Sequence, residues 1–219
     1  MRRLSALLLL LASPVWAQEP VAYEQCEASI GVAEKQARIP AKLMPAISRV
    51  ESGRLDPVTK RVRAWPWTIN VEGTGHFFPS KAEAIAAVQA LQALGPRSID
   101  VGCMQVSLIF HPHAFTDLED AFDPPANTRY AARFLAGLYQ QTKDWNLATA
   151  AYHSQDAERG EEYQRRVFGR VMTPMLPAGA GTLKSAKPTS QPTAFAAWVP
   201  PVNQFAAFAG SFTPAPPKR

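Results

Sequence analysis

No stretch of this 219-residue chain is apolar for long enough to cross a bilayer. The longest candidate, Leu4 to Ala12, is an apolar run of about nine residues where roughly twenty are needed. It follows Met1-Arg2-Arg3 and precedes Val15-Trp16-Ala17. Positive charge, a short apolar run and a small residue in that order read as a signal peptide of residues 1–17. The mature chain is then expected to begin near Gln18, in a periplasmic protein with no membrane span. Surplus charge is missing where it would matter. The formal net charge is +5, but Arg2 and Arg3 leave with the signal, and Lys184, Lys187, Lys218 and Arg219 lie beyond residue 172. Of the 23 basic residues this leaves 17 for residues 18–172, against 18 acidic ones. Such a balance carries no electrostatic footprint for nucleic acid, and no such partner is expected. Histidine is scarce: among four in the chain, His111 and His113 bracket one proline without the wider ligand set of a zinc site. No metal is assigned and no cofactor is expected.

Cysteine is reduced to Cys26 and Cys103. In an oxidising compartment two cysteines of one mature domain are expected to pair, because a nucleophilic role for Cys103 would need a histidine and an orienting group beside it. The bridge closes a loop of about 77 residues, for which chain entropy gives roughly 4 kcal/mol. Acidic residues are absent after residue 172, and nine of the chain's twenty prolines fall there among Ala, Ser, Thr and Gly. Residues 173–219 therefore cannot hold a packed core and are expected to be a disordered tail. Phe195-Ala-Ala-Trp198 and Phe205-Ala-Ala-Phe208 form a weak aromatic repeat within it, readable as docking points for a partner or as ordinary tail composition.

What remains, residues 18–172, is enough for one domain with a core. Apolar positions from Tyr23 to Arg38 recur at helical spacing and stop at Ile39-Pro40. A second helix is expected from Ala41 to Ser52, with Leu43, Ile47 and Val50 inward and Gly53 as its left-handed terminator. Trp67 to Val71 and His76 to Phe78 flank Glu72-Gly-Thr-Gly75, the one clear hairpin pattern. Ser80 with Glu83 opens a third helix that runs to Leu94. Asp123-Pro-Pro opens a long amphipathic helix, and two more follow, one ending near His153 and one over Glu161 to Phe168. The fold class is mainly α with a small β hairpin.

Glu51 sits at the edge of its helix's apolar stripe, spaced from Leu43 and Ile47. It also falls in the last turn, where the helix dipole disfavours negative charge. Both influences raise a carboxyl pKa, as a general acid for glycosidic bonds requires. A solvated glutamate at a frayed helix end accounts for the spacing equally well.

The order Glu51-Ser52-Gly53, then Gly102-Cys-Met-Gln105, then Ala151-Tyr152 resembles the soluble lytic transglycosylase family, over roughly Tyr23 to Phe168. The resemblance implies a lysozyme-like helical fold of the goose type. It implies peptidoglycan as substrate, at the β-1,4 bond between N-acetylmuramic acid and N-acetylglucosamine. Carried over by position, Glu51 is the catalytic acid and base, and Ser52, Gly102, Met104, Gln105, Tyr152 and His153 are the substrate-binding set. Gly102 would let the backbone approach sugar, Met104 would pack on its apolar face, Gln105 would bond an acetamido group, and Tyr152 would bond Glu51 or substrate. Core packing explains Met104 as well. Two positions depart from the family: Cys103 replaces an aliphatic residue, and His153 stands where asparagine is usual. Between Glu51 and Gly102 lies a long connection with Trp65-Pro-Trp67, whose Trp67 and Asn70 would contribute to a glycan groove or whose tryptophans would anchor the core.

The resemblance implies chemistry with one carboxyl group. Glu51 protonates the glycosidic oxygen and then takes the proton of the muramoyl C6 hydroxyl, giving a 1,6-anhydro product without water. A same-fold hydrolase using Asp56 or Asp100 to activate water is the nearest alternative. A non-catalytic glycan-binding assembly factor is the alternative of another class. Small exported members of the family open the wall locally for secretion, pilus or flagellar machines, so the tail is a candidate for recruiting one.

Overall fold

Cys26, Ile30 and Ala33 recur at intervals of three and four because α1 (Ala22–Gln36) lays one side against the rest of the chain. The computed structural model describes residues 22–95 and 97–172; the expected signal segment 1–17 and the tail 173–219 lie outside them. α2 (Leu43–Glu51) starts without a capping side chain of its own, since Lys42 occupies the N-cap in the left-handed region. Glu34, buried on α1, supplies the cap: its two carboxylate oxygens accept from the backbone N–H of Lys42 at 2.9 Å and Met44 at 2.8 Å. The entry to α2 is thereby fixed by α1.

α2 ends at Glu51, with Ser52 as its C-cap. Gly53 is not the left-handed terminator expected of it; it opens β1 (Gly53–Leu55). Glycine is required there by space, because a Cβ would sit 2.2 Å from the Arg49 carbonyl oxygen and 2.8 Å from Val62 Cγ1. β1 pairs antiparallel with β2 (Val62–Ala64). The expected hairpin is present as β3 (Thr68–Val71) and β4 (Thr74–Phe77). Helix α3 (Lys81–Ala93) begins as the sequence predicts, with the Ser80 hydroxyl accepting from Glu83 N–H.

β5 (Ile99–Val101) and β6 (Val106–Ser107) complete a four-stranded antiparallel sheet in the order β4-β3-β5-β6. Asp100 faces Asn70 on one side and Ser107 on the other. The sheet is thus larger than the single hairpin expected. A short helix α4 (Leu118–Ala121) leads to α5 (Pro124–Thr142), α6 (Trp145–His153) and α7 (Ala157–Met172). Asp123 and Asp144 cap α5 and α6 through backbone N–H groups, and α7 starts earlier than the sequence pattern suggests. The domain is mainly α with a small antiparallel sheet.

Two packed regions support the site. One joins Ile30, Met44, Ile47, Leu135 and Val167 of α1, α2, α5 and α7. The other packs α3 and α4 onto the sheet through Ile69, Val88, Ile99 and Phe122. Cys26 and Cys103 are bridged, with Cα atoms 5.7 Å apart, so α1 is tied to the turn after β5. The loop closed spans 77 positions. Replacing both cysteines by alanine, or reducing the bridge, is expected to lower unfolding free energy by about 2–4 kcal/mol. Urea unfolding with and without reductant measures this, and equal midpoints would show that the cross-link does not stabilise the fold.

Candidate active site

The end of α2, the middle of β5, the segment after β6 and the facing sides of α6 and α7 enclose a groove of about 1240 Å³. Glu51, the last residue of α2, lies half-buried in its wall. Tyr163 of α7, 1% exposed, donates its hydroxyl to Glu51 Oε1 at 2.5 Å. Removal from water disfavours the carboxylate and is the largest influence on Glu51, raising its pKa to about 7. The Tyr163 hydrogen bond opposes this, Asp100 adds to it, and Arg166 opposes it. The Tyr163 hydroxyl is itself held well above the usual tyrosine value, by burial first and then by the neighbouring Glu51. It therefore remains a donor to the carboxyl group.

The other residues singled out by the sequence divide into groove and support. Gln105, Tyr152 and His153 line the groove with Glu51. Gln105, at φ 48, spends both amide hydrogens on backbone, donating to Thr68 O at 3.1 Å and Gly102 O at 3.0 Å. Its Oε1 is what can accept from a ligand N–H or hydroxyl. Tyr152 does not reach Glu51; its hydroxyl donates to the Met104 carbonyl at 2.9 Å. His153 lies flat against Tyr163, with centroids 4.5 Å apart and planes 7° from parallel. Burial, then Arg166 and Arg159, hold its pKa below the usual histidine value, with Glu162 acting the other way.

Ser52, Gly102 and Met104 stand behind the groove. Met104 is 0% exposed, so its side chain packs in the core and offers no face to a sugar. Gly102 adopts φ 82, and a Cβ there would lie 2.4 Å from Asn127 Nδ2. The glycine answers to the left-handed turn and to Asn127, not to an approaching ligand. Ser52 is buried and donates to the Cys103 carbonyl at 2.7 Å. In the long connection, Asn70 and Gly73 reach the groove, whereas Trp65 is buried against Tyr23 and donates its indole N–H to Phe78 O; Trp67 packs beside it.

The two aspartates weighed as partners for Glu51 part company. Asp56 is buried outside the groove and accepts from Val58 N, Thr59 N, Thr59 Oγ1 and Arg63 Nη1, which hold its carboxyl well below the usual range. Asp100 lines the groove, and burial raises its pKa against a hydrogen bond from Ser107. His111 and His113 also lie in the wall. Burial lowers His111 to about 4, and its Nδ1 is 2.9 Å from the Tyr130 hydroxyl. No group of three or more potential metal ligands occurs among the described residues.

Tyr163, Asn127 and Arg166 escape the sequence reading. Asn127 falls on the inward stripe of α5 with Ala131 and Phe134, and a buried amide at that spacing is a usable signal. Tyr163 lies 112 positions from Glu51, and no local pattern connects the two.

A family model described as "Transglycosylase SLT domain" matches residues 28–167, well over half of the chain and all of the groove residues named above. No curated protein and no solved structure matches the chain.

The Tyr163 hydrogen bond favours the ionised form of Glu51, so Tyr163→Phe is expected to move its titration above about 7 while burial still acts. Carboxyl-carbon NMR of parent and variant reads this directly. An unchanged or lower titration point would show that the hydroxyl does not hold the charged form.

Proposed function

Since the chain belongs to the Transglycosylase SLT domain family, with its lysozyme-like fold and transglycosylase-type activity on peptidoglycan, we propose that Glu51 is the single catalytic group of a lytic transglycosylase. The observation that carries this reading is a half-buried carboxyl with a pKa of about 7, held by the Tyr163 hydroxyl in the wall of a long groove. Near neutral pH such a group is populated both as acid and as base, and both forms are needed.

In the first step protonated Glu51 gives its proton to the glycosidic oxygen between N-acetylmuramic acid and N-acetylglucosamine, and the C1–O bond breaks. In the second, the Glu51 carboxylate takes the proton of the muramoyl C6 hydroxyl as that oxygen bonds to C1. Glu51 returns to its starting form, and the product is a 1,6-anhydro end with no water consumed. The nucleophile is already part of the substrate, which removes most of the entropic need for a second group to deliver one. Gln105 Oε1, left over once its amide nitrogen has bonded two carbonyls, would accept from an acetamido N–H, and His153 lies over the Tyr163 ring that holds Glu51.

Asp100 supports a second reading. It shares the groove with Glu51, and its charge is one of the influences that raise Glu51. A carboxylate so placed suits a hydrolase that activates water or stabilises a developing cation. Digestion of purified sacculi followed by mass spectrometry separates the two. The transglycosylase is expected to release fragments lighter by one water, Glu51→Gln to abolish release by at least about a thousandfold, and Asp100→Asn to retain the anhydro product. Reducing ends alone, lost with Asp100→Asn, would establish the hydrolase.

We propose that a leader over residues 1–17 delivers the protein to the periplasm, that the enzyme occupies residues 18–172, and that residues 173–219 form a tail. The tail's composition suits recruitment to an envelope machine that needs a local opening in the wall, be it a secretion apparatus, a pilus or a flagellum. Deleting residues 173–219 is expected to leave glycan cleavage intact and to abolish localised assembly. Normal assembly without the tail would remove the recruitment role.

A further inference from the structure

Arg159, Tyr163 and Arg166 follow one another at four and three positions, so α7 presents all three on one side, and all three line the groove. Tyr163 is committed to Glu51. The arginines are not needed for packing: both are exposed, on a helix whose buried stripe is carried by Tyr163 and Val167. Arg159 makes one exposed ion pair, with Asp156 at 3.6 Å. Arg166 has no ion-pair partner among the described residues, yet it lies near enough to favour the Glu51 carboxylate and to disfavour a charge on His153. The groove thus holds an uncommitted guanidinium close to the reacting carboxyl. Elsewhere in the groove the segment after β6 exposes Ile109 and Phe110, which supply apolar surface and no charge.

A neutral sugar chain offers a guanidinium hydroxyls and carbonyls but no charge. The muramoyl unit differs because its C3 lactyl group ends in a carboxylate, or carries a stem peptide with carboxylates of its own. Guanidinium matches carboxylate geometry with two parallel hydrogen bonds and is the side chain suited to this recognition. Resting on the transglycosylase reading above, we propose that Arg166, aided by Arg159 two turns earlier, forms a carboxylate-binding subsite for the muramoyl substituent. The subsite sets the register of the strand by seating a muramoyl residue beside Glu51. It also makes the groove prefer muramoyl glycans over neutral ones.

Binding is measured with the full chain carrying Glu51→Gln, so that no cleavage intervenes, against three soluble probes: glycan fragments with intact stem peptides, the same fragments after amidase removal of the stems, and an N-acetylglucosamine oligosaccharide. Adding Arg166→Gln is expected to weaken at least one carboxylate-bearing probe about tenfold, the loss typical of one charge-assisted hydrogen bond. The neutral oligosaccharide should change by less than about twofold, the usual reach of an exposed charge on a neutral ligand. A loss confined to the stem-bearing probe assigns the carboxylate to the peptide, and a loss confined to the stripped probe assigns it to the lactyl group. Arg166→Lys should recover part of the affinity, and circular dichroism verifies that the exposed substitution leaves the helices intact. An equal loss on all three probes, or no loss on either acidic one, overturns the subsite and leaves the catalytic assignment standing. A Glu51→Gln parent that binds none of the three overturns both.

Discussion

The turn from Gly102 to Gln105 has no helix or long ladder to satisfy its backbone, although it is buried between the helices and the sheet. Besides the backbone bonds from Gly102 N–H to Thr68 O and from Gln105 N–H to Gly102 O, side chains from three other elements do so. Asn127 of α5 accepts from Met104 N–H and donates to Val101 O and Ala121 O. Ser52 after α2 donates to Cys103 O, Tyr152 of α6 to Met104 O, and the disulfide ties Cys103 to α1. A buried polar group left unpaired costs about 1–3 kcal/mol, so the removal of any one of these partners would be felt throughout the turn. The arrangement also determines where Glu51 lies, because Ser52, its immediate neighbour, is one of the partners. The Glu51 carboxyl is thus placed by the backbone accounting of a different segment.

With those partners committed, little freedom remains in the groove. Tyr152 has its hydroxyl occupied and cannot move to Glu51. Gln105 keeps only its oxygen for a ligand. Tyr163 becomes the sole described hydrogen-bond donor to the Glu51 side chain. Burial carries a cost for the fold. Between the ordinary value of 4.5 and about 7 the folded protein holds a proton that the unfolded chain gives up. This group's contribution to stability therefore falls as pH rises through that window, by on the order of 2–3 kcal/mol, and the protein is less stable with Glu51 ionised. A solvated glutamate would carry no such penalty, and it would also be a poor acid at neutral pH.

Much of this was legible in the residues, and the limits have physical causes. The helices announce themselves through three-to-four spacing and through Ser80, Asp123 and Asp144, whose side chains cap as their positions suggest. The place of Glu51 at the end of α2 follows from Leu43 and Ile47. β5 and β6 span three and two residues, too short for alternation to be seen, and they are strands only because β3 lies alongside. Gly53 illustrates an ambiguity of glycine: a helix end suggests left-handed backbone, whereas the actual demand is room for the Arg49 carbonyl and Val62. At Met104 and Tyr152 the residue types match the motif, but their contacts serve the turn, and no one-dimensional pattern distinguishes a residue that touches sugar from one that supports the residue that does. Tyr163 and Arg166 belong to the site only through the packing of α7 against α2.

That packing couples the acid to whatever the groove holds. Four influences set Glu51: burial and Asp100 raise its pKa, while Tyr163 and Arg166 lower it. Tyr163 is fixed by its stack with His153, but Arg166 is exposed and its charge can be taken up by an anionic ligand. When a carboxylate pairs with Arg166, the guanidinium no longer favours an ionised Glu51, and the carboxyl holds its proton more firmly. A strand lying in the groove would displace water and act in the same direction. On the proposed transglycosylase reading, Glu51 would then be most strongly protonated with a muramoyl unit beside it, the form that the proposed first step consumes. In that proposed mechanism, loss of the proton to the leaving oxygen would produce a carboxylate in a site that disfavours one, which would favour recapture of a proton from the C6 hydroxyl. The proposed double use of one half-buried carboxyl thus rests on a substrate that alters the balance of charges around it.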